Sequence, residues 1–221
     1  MIQALIFDFD GLILDTETPE FTIWEEIYKE HGLEFPREEW GKIIGGDGHG
    51  GFDAAEHLSL LLEGRLDSAS LRHRNHTESQ ELILTLEPRP GVMDYIQEAK
   101  RLGLKLAIAS SSDLKWVETH AKRIGVFDQF DLVITREDVA PGRTKPNPDL
   151  FLTALDRLGV PKEAALVFED SPNGVKAAKQ AGLFVVAVPN DVTSLLSLDH
   201  ADLILSSLSE MPLSALLDKV Q

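Results

Sequence analysis

The chain has 221 residues, 43% of them hydrophobic, with 21 Lys and Arg against 37 Asp and Glu, a formal net charge of −16 and no cysteine. That apolar fraction builds one large domain or a domain with an insert, the missing cysteines exclude disulfides and thiolate metal sites, and so acidic a surface repels nucleic acid and anionic lipid. No run of about 18 apolar residues predicts a membrane span, and the N-terminus lacks the basic and long apolar regions of a signal peptide, so a cytoplasmic protein is expected.

The first predicted strand, Ile2–Phe7, runs into Asp8-Phe9-Asp10-Gly11. Two carboxylates so close repel unless a cation or a shared proton compensates them. A hard divalent cation held by oxygen ligands resolves the repulsion and leaves one carboxylate as nucleophile and the other as acid/base. The plainer alternative is that the pair only ends a strand and opens a turn. The next segment, residues 16–86, reads as helical. Trp24, Ile27, Tyr28 and His31 keep helical spacing until Gly32 stops it, and residues 53–63 and 68–86 also read as helices. The absence of a strong strand there predicts a second small domain, joined near residues 15–18 and 85–90, where Pro88 and Pro90 lie.

Beyond residue 87 apolar runs alternate with amphipathic segments. Lys105–Ala109, Leu132–Ile134, Ala165–Phe168 and Phe184–Val188 read as buried strands, with Leu203–Leu205 weaker; helices are expected around 91–102, 114–124, 148–158 and 172–181. This alternation predicts an α/β fold with a parallel sheet covered by helices. Cations followed by glycine end three of the helices, at Gly103, Gly125 and Gly159, and Ser171-Pro172 is a helix start.

Four polar sites fall at the ends of these strands or in the loops after them, where open parallel sheets bind ligands. They are Asp8 with Asp10, Ser110 with Ser111 and Ser112, Lys145 before Pro146-Asn147-Pro148, and Glu169-Asp170. Each has a bland reading as turn, solvated surface or helix cap; their joint order in one chain is far more specific. An anionic substrate in so acidic a protein needs local cations, from a metal, a lysine or helix N-termini.

This ordered set resembles the haloacid dehalogenase superfamily of aspartate-nucleophile phosphotransferases. Phe7 to Glu17 is similar to the family's first motif, and Ser110, Lys145 and Glu169 to Gly174 are similar to the second, third and fourth. The nearest subgroup is the β-phosphoglucomutase-like proteins, which include sugar-phosphate phosphatases. The resemblance implies a Rossmann-like three-layer α/β/α core at residues 1–15 and 87–221, and an inserted helical-bundle cap domain at residues 16–86. It implies Asp8 as nucleophile and Asp10 as acid/base. It implies Mg²⁺ held by Asp8, Asp10 through its backbone carbonyl, and Asp170, with Glu169 supporting. It implies phosphate contacts from Ser110, Ser111 and Lys145.

Cap contacts to the substrate are expected from Thr16, Glu20 and the glycine-rich turn with Gly45, Gly46 and His49, although His49 also fits a solvated loop. Arg72, His73, Arg74 and His76 fit either a ligand-facing or a solvated helix face. The mutase members carry a histidine where this chain has Glu20, and a lysine near Asn75. The resemblance therefore implies a Mg²⁺-dependent phosphatase acting on a small phosphorylated metabolite, a sugar phosphate, as a monomer without nucleic acid or membrane partners. A β-phosphoglucomutase is the alternative. A dehalogenase, which has no use for Asp10 or for Glu169-Asp170, and a non-catalytic phospho-receiver complete the set.

Overall fold

The computed structural model describes residues 1–45 and 51–220. Six strands form one parallel sheet: β1 (Ala4–Phe7), β2 (Lys105–Ala109), β3 (Leu132–Ile134), β4 (Ala165–Glu169), β5 (Phe184–Ala187) and β6 (Leu203–Ile204), in spatial order β3-β2-β1-β4-β5-β6. The expected strands are present, β2 and β3 with the expected bounds and the others with one end shifted by one or two residues. Side chains alternate across the sheet with the period of two that a strand imposes. Leu5 and Phe7 enter one apolar layer with Leu106, Ile108, Leu166 and Phe168. Ala4 and Ile6 enter the other with Ala107, Ala109 and Val167. Two buried faces explain why these strands read as unbroken apolar runs. Each fully buried Ile or Phe contributes roughly 1.5–3 kcal/mol.

Helices cover both faces. α5 (Val92–Arg101), α6 (Leu114–Arg123) and α9 (Leu213–Lys219) pack on the Leu5 face, whereas α7 (Asp149–Leu158) and α8 (Pro172–Gln180) pack on the Ile6 face. The predicted caps hold: Gly103, Gly125 and Gly159 take positive φ, and Ser171 accepts from the Gly174 N–H at 3.1 Å. β1 lies between β2 and β4. The chain runs from β1 outward through β2 to β3, then crosses to β4 and runs outward the other way, and this reversal of strand order opens a crevice at the C-terminal ends of β1 and β4.

Between β1 and α5 stand α1 (Glu17–Glu30), α2 (Arg37–Gly41), α3 (Ala54–Leu61) and α4 (Ser68–Ile83). With the loop after α1 they bury a cluster of Phe21, Trp24, Ile27, Tyr28, Phe35 and Leu58, distinct from the two sheet layers and joined from the core by Val192. The five-residue α2 is too short to show helical periodicity and was not expected. Arg89 anchors the return from the insert: its guanidinium donates to the carbonyls of Gly11, Val188 and Pro189 at 2.6–2.9 Å. Among the described residues no helix is long and apolar enough to cross a membrane.

Candidate active site

Asp8 follows β1, and its N–H donates to the Phe168 carbonyl at 2.9 Å, so the β1–β4 pairing sets its place. It is 3% exposed. Lys145, 2% exposed in the loop before α7, sends its Nζ to Asp8 Oδ1 and, at 2.6 Å, to Glu169 Oε1. Burial alone favours a neutral amine, but the Asp8 and Glu169 carboxylates outweigh it and push the Lys145 pKa above its ordinary value. Burial pushes Asp8 up to about 8, helped by Glu169 and Asp10 and opposed by Lys145.

Glu169 ends β4. Its Oε2 accepts from the N–H groups of Asp170 and Ser171 at 3.0 and 3.2 Å and from Ser171 Oγ at 3.1 Å. With Lys145 on Oε1, both oxygens are engaged, so Glu169 here orients its neighbours. Gly174 makes this possible, because a Cβ there would fall 1.9 Å from the Glu169 carboxyl.

Asp170 is different. Its Oδ2 accepts from Asn190 Nδ2 at 3.0 Å, while its buried Oδ1 has no partner among the described residues. Burial, together with Glu17, Glu169 and Asp8, pushes Asp170 well above the usual carboxylate range. Burial raises Glu17 likewise, against hydrogen bonds to Asn190 and Asp170. One oxygen each from Asp8, Glu169 and Asp170 lies within 4.8 Å of the others. Gly11 keeps this space open: at φ +79° it carries no Cβ, which would stand 2.2 Å from Asp170 Oδ2. An all-oxygen set of buried carboxylates with one orphaned oxygen fits a hard divalent cation. The side chain of Asp10 is not part of that group.

Asp10 instead accepts four hydrogen bonds. Thr16 Oγ1 and Trp116 Nε1 donate to Oδ1 at 2.9 and 2.7 Å, and Ser110 Oγ and Ser112 Oγ donate to Oδ2 at 3.2 and 2.7 Å. Ser110 also accepts from the Ser112 N–H at 3.0 Å. Asp113 caps α6 through the Trp116 N–H at 2.7 Å, which places the indole beside Asp10.

A cavity of about 400 Å³ opens above these groups. Asp8, Asp10, Ser110 and Ser111 face it from the core side, and Thr16, Glu20, Trp40, Gly45 and His76 from the insert. Burial and the neighbouring Asp10 push Glu20 up to about 7. The carbonyl of Gly45 accepts from Ser111 Oγ at 3.2 Å, and Asn173 Nδ2 donates to the Ile44 carbonyl at 2.8 Å, so the α2 end rests on the core. Gly46 and His49 lie outside the described residues. Arg72 pairs with Asp53 and Glu56, and Arg74 with Glu30 and Glu78, leaving both on a solvated salt-bridged face. Asn75 is buried and donates to the Glu20 carbonyl at 3.0 Å.

Sequence reasoning named Ser112 but missed Trp116, Glu17, Asn190 and Arg89 as partners of the site. Asn190 had a usable signal, since it follows β5 as Asp170 follows β4.

A model of the hydrolase family described as haloacid dehalogenase-like hydrolase matches residues 2–182. The chain is 47% identical to "Putative phosphatase YhcW" of Bacillus subtilis (strain 168), over 99% of this chain and 97% of the relative. It is 31% identical to "Phosphorylated carbohydrates phosphatase" of Thermotoga maritima, over 82% of each. A crystal structure of a CbbY variant from Rhodobacter sphaeroides in complex with xylulose-(1,5)bisphosphate superposes with a TM-score of 0.72 at 31% identity, covering 98% of this chain and 99% of that one. With Asp8 at its first strand's end, Lys145 and the Glu169-Asp170 pair converging in the crevice of a parallel sheet, the chain belongs to the haloacid dehalogenase-like hydrolase family.

Proposed function

We propose that this chain is a Mg²⁺-dependent phosphatase that hydrolyses a small phosphorylated metabolite, a sugar phosphate, through an aspartyl phosphate on Asp8. The observation that carries this reading is the buried ion pair of Lys145 with Asp8, set beside Glu169 and Asp170 under the cavity. The names of the phosphatase and carbohydrate-phosphatase relatives support it.

In this reading Asp8 attacks phosphorus, and the bond to the leaving oxygen breaks as Asp10 gives that oxygen a proton. Asp10 then takes a proton from water, whose oxygen attacks phosphorus, releasing phosphate and restoring Asp8. Lys145, Ser110 and Ser111 bind phosphate oxygens. Lys145 also favours the carboxylate form of Asp8, in opposition to burial. Mg²⁺, held by Asp8, Asp170 and the Asp10 carbonyl with Glu169 in support, supplies charge neutralisation at the phosphoryl oxygens when bound. Phosphoryl transfer asks chiefly for positioning and charge, which these residues provide.

The distinct apolar cluster of α1–α4 supports reading residues 16–86 as a cap domain on a core of residues 1–15 and 87–221. Thr16, Glu20 and Gly45 then face the substrate from the cap side. The net charge of −16 speaks against nucleic-acid and membrane partners.

The test is phosphate release from a panel of sugar phosphates and other small esters, with Mg²⁺ and with chelator, for wild type and Asp8→Asn. Release that needs Mg²⁺ and vanishes in Asp8→Asn is expected. Formation of an isomeric sugar phosphate without phosphate release overturns the hydrolase reading in favour of a mutase.

A further inference from the structure

The loop that follows β5 takes no part in the hydrolytic steps, yet it touches both Asp170 and the insert. One end of it is polar. Asn190, buried at 5% exposure, donates from Nδ2 to Asp170 Oδ2 at 3.0 Å and to Glu17 Oε2 at 3.1 Å, and Glu17 opens α1. The other end is apolar. Val192 is buried within the insert's cluster beside Phe21 and Ile44, and Leu196 packs against the same cluster. Leu196 lies so close to α2 that a Cβ on Gly41 would fall 2.4 Å from Leu196 Cδ2, so the glycine that ends α2 makes room for the leucine.

Between these ends the loop is tied to itself. The Asn190 N–H donates to Thr193 Oγ1 at 2.9 Å, and Asn190 Oδ1 accepts from the N–H groups of Val192 and Thr193 at 2.9 and 2.8 Å. The N–H groups of Ser194 and Leu196 donate to the carbonyls of Asn190 and Thr193 at 2.9 and 3.0 Å. A segment held this way moves as one body, so a displacement of Leu196 reaches Asn190. The seat on the insert is only partly filled, because a cavity of about 150 Å³ lined by Phe21, Ile44 and Leu195 lies beside it. Sparse packing of this kind marks contacts that open at low cost.

We propose, building on the Mg²⁺ reading above, that Val192 and Leu196 are positioning residues for Asp170. They seat the loop on the insert, the seated loop holds Asn190, and Asn190 holds the carboxylate. An insert resting on the loop therefore presets Asp170 for the cation. Coupling between two sites is reciprocal, so a cation on Asp170 favours the seated insert to the same degree.

The test is titration calorimetry of the full chain with Mg²⁺ alone, at one pH, beside melting curves. The variants are Leu196→Ala, Leu196→Met, Val192→Ala, Asn190→Ala and Leu196→Ala combined with Asn190→Ala. Leu196→Ala should weaken Mg²⁺ binding about 2- to 30-fold, the range over which residues along a coupled element act without touching the ligand. Val192→Ala probes the same seat independently and should act in the same direction. Leu196→Met keeps the apolar volume and should restore most of the affinity. In the double variant the Leu196 change should add little to the loss from Asn190→Ala, because both act along one route. Mg²⁺ should also slow amide exchange in α2 of wild type, and slow it less in Leu196→Ala. Wild-type Mg²⁺ affinity in both Leu196→Ala and Val192→Ala overturns the proposal, as do losses that add fully in the double variant or α2 exchange indifferent to Mg²⁺. If wild type binds Mg²⁺, such results sink this proposal alone; if wild type binds none, the Mg²⁺ reading falls and takes the proposal with it.

Discussion

The indole N–H of Trp116 donates to Asp10 Oδ1 at 2.7 Å, tying α6 to the loop after β1 across 106 positions of chain. The Asp113 cap begins the helix so that its third residue reaches the site. Trp116→Phe removes the donor and keeps an aromatic ring against His120. A hydrogen bond to a charged group contributes about 1.5–3 kcal/mol. If Asp10 acts as acid and base, kcat should fall about 10- to 150-fold while thermal stability changes little. Single-turnover kinetics beside a melting curve decide this, and an unchanged kcat would show the contact to be structural only.

Among the described residues Lys145 is the side chain that bridges Asp8 and Glu169, and all three are buried. Lys145→Met leaves two carboxyls facing each other without a counter-charge. Removing one partner of a buried ion pair costs about 3–5 kcal/mol. Urea denaturation in chelator should show a loss of that order, larger at pH 8 than at pH 5, because protonation relieves the repulsion in acid. Lys145→Arg should not rescue activity, since a planar fork does not replace a point charge shared by two carboxylates. Wild-type stability in Lys145→Met at pH 8 would contradict this account.

Stability without metal should decline as pH rises. Asp8 is raised from 3.8 to about 8 and Glu20 from 4.5 to about 7, both chiefly by burial. Between those values the folded chain holds protons that the unfolded chain has lost, so unfolding releases protons and is favoured by alkali. The melting temperature in chelator should therefore fall from about pH 4 through about pH 8. Mg²⁺ should flatten the decline at its upper end by stabilising the ionised carboxylates. A melting temperature that climbs with pH in chelator would refute the assignment.

The parts of the site that sequence makes legible share one signal, a polar residue just past an apolar run. Asp8, Ser110 and Glu169 sit there because the C-terminal edge of a parallel sheet exposes those positions to a ligand while the strands themselves are buried. Lys145 carries a weaker mark, since it stands in the loop after β3 and not at the strand's end, and the family resemblance gave it its role. Trp116 and Arg89 were illegible because their roles rest on contacts across 78 to 106 positions of chain, and a tryptophan in an amphipathic helix reads as core. α2 was illegible for a different reason, since five residues hold too little of a helical period to register. The fold as a whole was legible because its caps and its strand pattern agree with one another.

Asn190 supports Asp170 from the loop after β5. Its Nδ2 donates to Asp170 Oδ2 at 3.0 Å and to Glu17 Oε2 at 3.1 Å, while its Oδ1 accepts from the N–H groups of Val192 and Thr193 at 2.9 and 2.8 Å. The loop thus fixes the amide, and the amide fixes the carboxylate. Loss of such a partner behind a metal ligand typically weakens binding 10- to 100-fold. Asn190→Ala should weaken Mg²⁺ binding measured by titration calorimetry to about that extent. Asn190→Ser keeps a short acceptor for the loop and should recover stability more than metal affinity, because a hydroxyl at that position falls short of Asp170. Equal Mg²⁺ affinity in wild type and Asn190→Ala would mean that Asp170 is held by burial alone and that the amide serves only the loop.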